Sequence, residues 1–291
     1  MDKINNLVEF TKVSKKLGNK QVLNDINLTV ASGEVVGIVG PNGCGKTTLL
    51  RLVTGLIYPD RGEVRVSGRA VRLGLIGELP ASVGALIESP AFLPQLSGLK
   101  NLTILADIQQ KINEQAVREA IKRVGLDPDN RKPVKSYSLG MRQRLGIAQA
   151  IMEKPNILLF DEPTNGLDQE GKILFSGIMK EQVEQGAAVM MVSHNKEEIN
   201  RYCDRVFMIQ NGTLHPVREQ RDKSWLIITN NLSDLEHIYQ QGLLLQITER
   251  VDGYPAGICK GKWKNRDEMM SFLTEIGVKT VDVREVENDY I

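Results

Sequence analysis

Short apolar runs separated by helical periodicity organise the first two hundred residues. Residues 35–39, 156–160 and 187–192 are almost continuously apolar and read as buried strands. Residues 7–10 also have strand character, and Ile26-Asn27-Leu28-Thr29-Val30 alternates as a half-buried strand does. A turn at Pro59-Asp60-Arg61-Gly62 leads into a second alternating run, Glu63-Val64-Arg65-Val66. Helix signals occupy residues 46–54 and stop at Gly55. Residues 99–151 lack strand patterning: Val117, Ile121 and Val124 share one helical face, which ends at Gly125. Strands alternating with helices predict an α/β fold, a largely parallel sheet covered on both faces and interrupted by one helical insert.

After Gly212 the pattern changes. Strand character at 225–229, helix at 232–241, strands at 243–249 and 255–263, helix at 265–276 and strand at 280–286 give the order β-α-β-β-α-β. That order predicts a small C-terminal α+β module of ferredoxin-like type. Trp225 and Trp263 are expected to anchor its core.

The strand at 35–39 delivers the run Gly40-Pro41-Asn42-Gly43-Cys44-Gly45-Lys46-Thr47-Thr48, a complete phosphate-binding loop. Glycine lets such a loop turn tightly and aim successive backbone N–H groups at an anion. Lys46 adds a charge for the β- and γ-phosphates, Thr47 a hydroxyl for Mg²⁺, and the following helix its positive end.

Composition narrows the class. The 291 residues carry 37 Lys and Arg against 36 Asp and Glu, a formal net charge of +1, which leaves no electrostatic footprint for direct nucleic-acid binding. Cys44, Cys203 and Cys259 are widely spaced and odd in number, which argues against a disulfide framework or a zinc site and fits a reducing cytosol. Cys44 is either a thiol activated by nearby cations or a small residue the loop tolerates. No apolar run nears the roughly 20 residues a membrane helix needs. No leader is evident after Met1-Asp2-Lys3, so a protein soluble by itself is expected.

The apolar run at 156–160 ends in two carboxylates, Asp161 and Glu162. At the C-terminal end of a parallel strand, Asp161 is placed to reach Mg²⁺ directly or through water. Glu162 should face the other way along the strand and is the candidate to take a proton from attacking water. An acidic turn is the alternative for this segment alone. It is accompanied, however, by Tyr137-Ser138-Leu139-Gly140-Met141 and Arg142-Gln143-Arg144 before it, Asn165-Gly166-Leu167-Asp168 after it, and Ser193-His194 beyond the next strand.

In this order and spacing, residues 7–214 resemble the nucleotide-binding subunit of an ABC transporter. The resemblance implies a P-loop NTPase with an antiparallel β subdomain and a helical signature subdomain at about 88–152, followed by the module at 215–291. It implies ATP and Mg²⁺ as cofactors. Two copies, or two paired subunits, would sandwich ATP between the phosphate loop of one and the signature loop of the other. Ser138, Leu139, Gly140 and Met141 form that loop; Leu139 and Met141 depart from the family's L-S-G-G-Q. His194 would contact the γ-phosphate and the attacking water, and Asp168 would lie at the dimer seam.

Two further departures stand out. Leu17 occupies the position of an adenine-stacking aromatic, so weaker or less selective base recognition is expected. Glu88, in Leu86-Ile87-Glu88-Ser89-Pro90-Ala91-Phe92, replaces a glutamine that reaches Mg²⁺ and water. That wording, and the ending at 281–291, resemble the bacterial subgroup linked to bacitracin and lantibiotic resistance. The implied role is the motor of a drug or peptide exporter, cytoplasmic and held at the inner face of the membrane through a separate permease. Phe92-Leu93-Pro94-Gln95-Leu96 is either the permease contact or subdomain core. An ABC ATPase acting on nucleic acid or ribosomes is the competing class. It typically carries two cassettes or a coiled-coil insertion, whereas this sequence has one phosphate loop and no heptad run between its motifs. A subunit that binds ATP without turning it over is opposed by Glu162. The terminal module would regulate, dimerise or stabilise.

Overall fold

A computed structural model of the chain describes residues 5–71, 83–88, 90–218, 223–241, 243–261, 263 and 265–286. Ser89 and residues 287–291, quoted above, lie outside them. The chain divides into two compact units, Met1–Glu219 and Gln220–Ile291.

The first unit opens with two long antiparallel strands, β1 (Asn6–Leu17) and β2 (Lys20–Ala31). Both exceed the runs that alternation marks, because bulges break the pattern; one falls between Phe10 and Val13, where Lys12 takes a φ of 50°. The buried strand β3 (Val35–Val39) then feeds α1 (Lys46–Val53). Strands β4 (Arg61–Val66) and β5 (Arg69–Ala70) complete an antiparallel sheet of order β2-β1-β4-β5.

Next come β6 (Val83–Leu86) and the helical insert: α2 (Gly98–Gln109), α3 (Glu114–Arg123), a 3-10 turn at Val134–Ser136, and α4 (Leu139–Ile151). The chain returns through β7 (Ile157–Asp161), α5 (Gln169–Glu184), β8 (Ala188–Val192), α6 (Lys196–Tyr202), β9 (Arg205–Gln210) and β10 (Thr213–Arg218). The central sheet runs β10-β9-β3-β8-β7-β6, parallel except for the β9–β10 hairpin. That hairpin turns at Asn211-Gly212, both at positive φ, the pairing a two-residue turn favours. A boundary at residue 214 therefore falls inside β10, and the division lies at Glu219/Gln220.

Successive residues of the central strands enter different cores. Leu158, Phe160, Val189 and Met191 pack with α4, α5 and α6, while Ile157, Leu159, Met190 and Val192 pack with α1 and the antiparallel sheet. Phe175 on α5 sits edge-on to Phe160, with ring centroids 5.4 Å apart, and to Tyr202 at 5.5 Å. Helix α4 approaches β6 closely at Gly84, where an added Cβ would lie 1.9 Å from the Ala150 carbonyl oxygen.

Among the described residues, seven of the eight α-helices follow a residue whose side chain accepts a first-turn N–H. Ser97, Asn113, Ser138, Asp168 and Asn195 cap α2 to α6. In the second unit, Asn231 and Asn265 cap α7 (Leu232–Gln240) and α8 (Arg266–Glu275). The exception is α1, which follows Gly45 and has no side-chain cap.

The second unit contains β11 (Lys223–Thr229), α7, β12 (Leu244–Val251), β13 (Tyr254–Gly261), α8 and β14 (Thr280–Val286), in the β-α-β-β-α-β order expected. Its sheet is antiparallel, with order β12-β13-β11-β14. Trp225 is buried among Leu235, Ile238, Met269 and Leu273, as a core anchor should be, while Trp263 is half-buried and packs on Phe272 at the margin of the same core.

Gly84→Ala should destabilise the first unit by about 1–3 kcal/mol, the usual cost of forcing an extra carbon into a packed contact. A urea midpoint equal to that of the parent protein would show that α4 and β6 are free to separate.

Candidate active site

The loop leaving β3 turns through Gly45, whose φ of 114° suits glycine alone. A Cβ there would also meet the Val22 carbonyl oxygen at 2.9 Å. Lys46, the first residue of α1, is 8% exposed, and its Nζ donates to the carbonyls of Gly40 (2.7 Å) and Pro41 (3.1 Å). A nearly buried ammonium thus sits at the uncapped, positive end of a helix, its partners among the described residues being two weak dipoles of its own loop. That arrangement favours an anion. Beside it, Thr47 Oγ1 donates to Asp161 Oδ2 at 2.6 Å, across from the end of β7. A hydroxyl and a carboxylate in contact form a hard-oxygen pair of the kind Mg²⁺ selects.

Asp161 ends β7, and Glu162 takes a φ of 51°. This left-handed turn redirects the second carboxylate, so both acids line the same cleft rather than opposite faces of a strand. Glu162 is fixed by its N–H to the Val192 carbonyl (2.9 Å), and Gln143 Nε2 donates to the carbonyls of Glu162 (3.1 Å) and Pro163 (2.9 Å). His194 Nδ1 lies 2.5 Å from Glu162 Oε1. Burial pushes the Glu162 carboxyl above its usual range, while His194 pulls it back and Asp161 and Glu198 add repulsion. The cleft measures about 340 Å³. Phosphate-loop residues including Asn42, Gly43, Lys46, Thr47 and Thr48 line it with Asp161, Glu162 and His194, and Leu17 and Val22 supply apolar wall.

Other sequence-marked residues stand elsewhere. Glu88, at φ 60° beyond β6, is exposed and pairs with Arg51 of α1 at 2.6 Å; it does not line the cleft. Ser138 caps α4, its Oγ accepting from Met141 N at 3.2 Å. Leu139 is exposed, and Met141 packs against the helical core. None of Ser138, Leu139, Gly140 and Met141 lines the cleft of its own chain. Asp168 caps α5 through Gly171 N (2.9 Å) and accepts from Arg144 at 2.5 Å; these two contacts hold its carboxyl below the usual range. Cys44 is half-buried in the loop, while Cys203 and Cys259 are buried; all three are free thiols.

Thr164, Gln143 and Glu198 carry polar contacts around Glu162 and His194 that sequence reasoning assigned to none of them. Gln143 stood within the marked run at 138–144, yet only the fold shows which carbonyls its amide reaches.

The fold and the cleft define a P-loop ATPase of ATP-binding-cassette type. A family model described as ABC transporter matches residues 23–165. The ABC transporter ATP-binding protein YdbJ of Bacillus subtilis is 45% identical over 209 residues, 72% of this chain and 68% of that protein. The bacitracin transport ATP-binding protein BcrA of Enterococcus faecalis is 39% identical with the same coverage. The lantibiotic transport ATP-binding protein SrtF of Streptococcus pyogenes is 32% identical over 72% of this chain and 89% of its own. Among solved structures, the dimeric ATP-binding cassette MJ0796 in a post-hydrolysis state with ADP and Pi superposes with a TM-score of 0.67. It is 25% identical and covers 72% of this chain and 98% of that one. The chain belongs to the ABC transporter ATP-binding family and is the ATPase subunit of a transporter. No helix among the described residues is long and apolar enough to cross a membrane.

Replacing Gln143 by Leu should leave the Glu162 and Pro163 carbonyls without their amide donor and cost about 1–3 kcal/mol of stability. Equilibrium denaturation checks this, and an unchanged midpoint would show that water serves those carbonyls equally well.

Proposed function

We propose that this chain powers an exporter of drugs or antimicrobial peptides, driving a separately encoded membrane permease from the cytoplasmic face. Identity to bacitracin and lantibiotic transport subunits supports the cargo class. The observation that carries the catalytic reading is the 2.5 Å pair of Glu162 and His194 in the cleft that also holds Lys46, Thr47 and Asp161.

When bound, ATP supplies the phosphoanhydride to be cleaved and Mg²⁺ neutralises the charge on its phosphates. Lys46 would give its ammonium to phosphate oxygens in place of the Gly40 and Pro41 carbonyls, and backbone N–H groups of the glycine-rich loop at the head of α1 would add donors. Thr47 and Asp161 would hold Mg²⁺, and Glu88, paired here with Arg51, would be the further candidate ligand. Glu162 accepts a proton from the attacking water. His194 orients that carboxylate and faces the γ-phosphate. Ser138, Leu139, Gly140 and Met141 of a second copy close the cleft, with Asp168 at the seam. Closure is favoured because the nucleotide bonds both partners only in the closed state. Leu93, exposed on a loop that Asn101 fixes through its N–H and carbonyl (2.7 and 3.1 Å), is the proposed permease contact.

Glu162→Gln should lower turnover by about 10²- to 10⁴-fold, the range for loss of a general base, while ATP-driven dimerisation persists in light scattering. Undiminished hydrolysis removes Glu162 from the reaction. Glu88→Ala separates the two states of that residue: slower Mg²⁺-dependent turnover supports ligation, and unchanged turnover assigns Glu88 to its Arg51 pair alone. Leu17→Tyr should tighten ATP binding by about tenfold, since stacking on one base is worth ~1–3 kcal/mol. Calorimetry with ATP and GTP tests whether the parent wall distinguishes the bases at all.

A further inference from the structure

Behind the cleft, four polar side chains close on one another. Glu198 on α6 is 8% exposed; its Oε1 accepts from Thr164 Oγ1 and from Asn195 Nδ2 (3.3 Å), and its Oε2 from Ser193 Oγ (2.9 Å). Ser193 is fully buried, Thr164 nearly so, and Ser193 Oγ also accepts the Asn195 N–H at 3.1 Å. A buried carboxylate is costly unless donors surround it, and three converge here.

Their place in the chain gives the cluster its meaning. Thr164 lies two residues beyond Glu162 on the loop leaving β7, and Ser193 directly precedes His194 on the loop leaving β8. Both reacting side chains therefore stand on loops tethered to a single carboxylate. The backbone alone ties these loops at Glu162 N to Val192 O. Glu162 meanwhile holds a left-handed conformation that costs roughly 1–2 kcal/mol and needs neighbouring bonds to offset it.

We propose that Glu198 is a positioning residue: by accepting from Thr164, Ser193 and Asn195 together, it locks the two loops at the spacing that brings His194 onto Glu162. The proposal rests on reading Glu162 and His194 as the reacting pair. Glu198 touches neither nucleotide nor water in this scheme and acts through the loops.

The test uses the full-length protein. Thr164→Val and Glu198→Gln should lower kcat by about tenfold or more with KM for ATP within about threefold, the pattern of a lost transition-state arrangement, and Thr164→Ser should restore kcat. A second readout does not need turnover. The chain has three histidines, so the His194 ring resonance can be assigned by substitution. Glu162→Gln should move that resonance in the parent protein, and by less than about half as much when Thr164→Val or Glu198→Gln is present. Loss of this coupling supports the positioning role. An equal response in every background overturns it, whatever the kinetics show. Should Glu162→Gln leave turnover intact, the reaction assignment fails, and the resonance alone still decides whether Glu198 sets the pair. If Glu198→Gln does not fold, Thr164→Val and Thr164→Ser carry both measurements.

Discussion

A helix that begins without a cap, and with a nearly buried lysine as its first residue, concentrates positive charge at one point. Among the described residues every other α-helix has a side-chain oxygen on one first-turn N–H; α1 has only Gly45 before it. The Lys46 ammonium borrows carbonyls from Gly40 and Pro41, an arrangement that compensates the charge incompletely. A polyanion completes it better than anything the chain carries there. The remaining architecture follows from that deficit: β3 delivers the loop, β7 and β8 bring Asp161, Glu162 and His194 to its rim, and two apolar cores hold the three strands in place.

Legibility in the sequence tracked how local each determinant is. The phosphate loop could be read because its glycines, lysine and threonine act within nine residues of chain. The buried strands, the helical insert and the terminal β-α-β-β-α-β order could be read because periodicity is a local property. Bulges hid the true length of β1 and β2, since each inserted residue inverts the alternation beyond it. The β9–β10 hairpin was obscured because Asn211-Gly212 resembles a domain boundary as much as a turn.

The site was legible in its chemistry and not in its orientation. Period-two reasoning sends Asp161 and Glu162 to opposite faces, and one left-handed residue cancels it. Nothing local announces that Arg51 will hold Glu88, that Gln143 will reach the Glu162 carbonyl 19 positions away, or that Glu198 will join Thr164 to Ser193. These contacts exist only once the sheet order is set. A polar residue of a helix gives no sign beforehand that it will be buried.

Arg144 joins three helices of the first unit. Its guanidinium, scarcely touched by solvent, reaches the Val124 carbonyl at the end of α3 and the Asp168 carboxylate at the head of α5, while its own backbone belongs to α4. Three helices thus converge on one planar cation. Glu170, in the first turn of α5, adds a second carboxylate 3.8 Å from the same cation. A single substitution at Arg144 would therefore take a donor from the Val124 carbonyl and from the Asp168 carboxylate together, loosening α3 and α5 from α4 in one step.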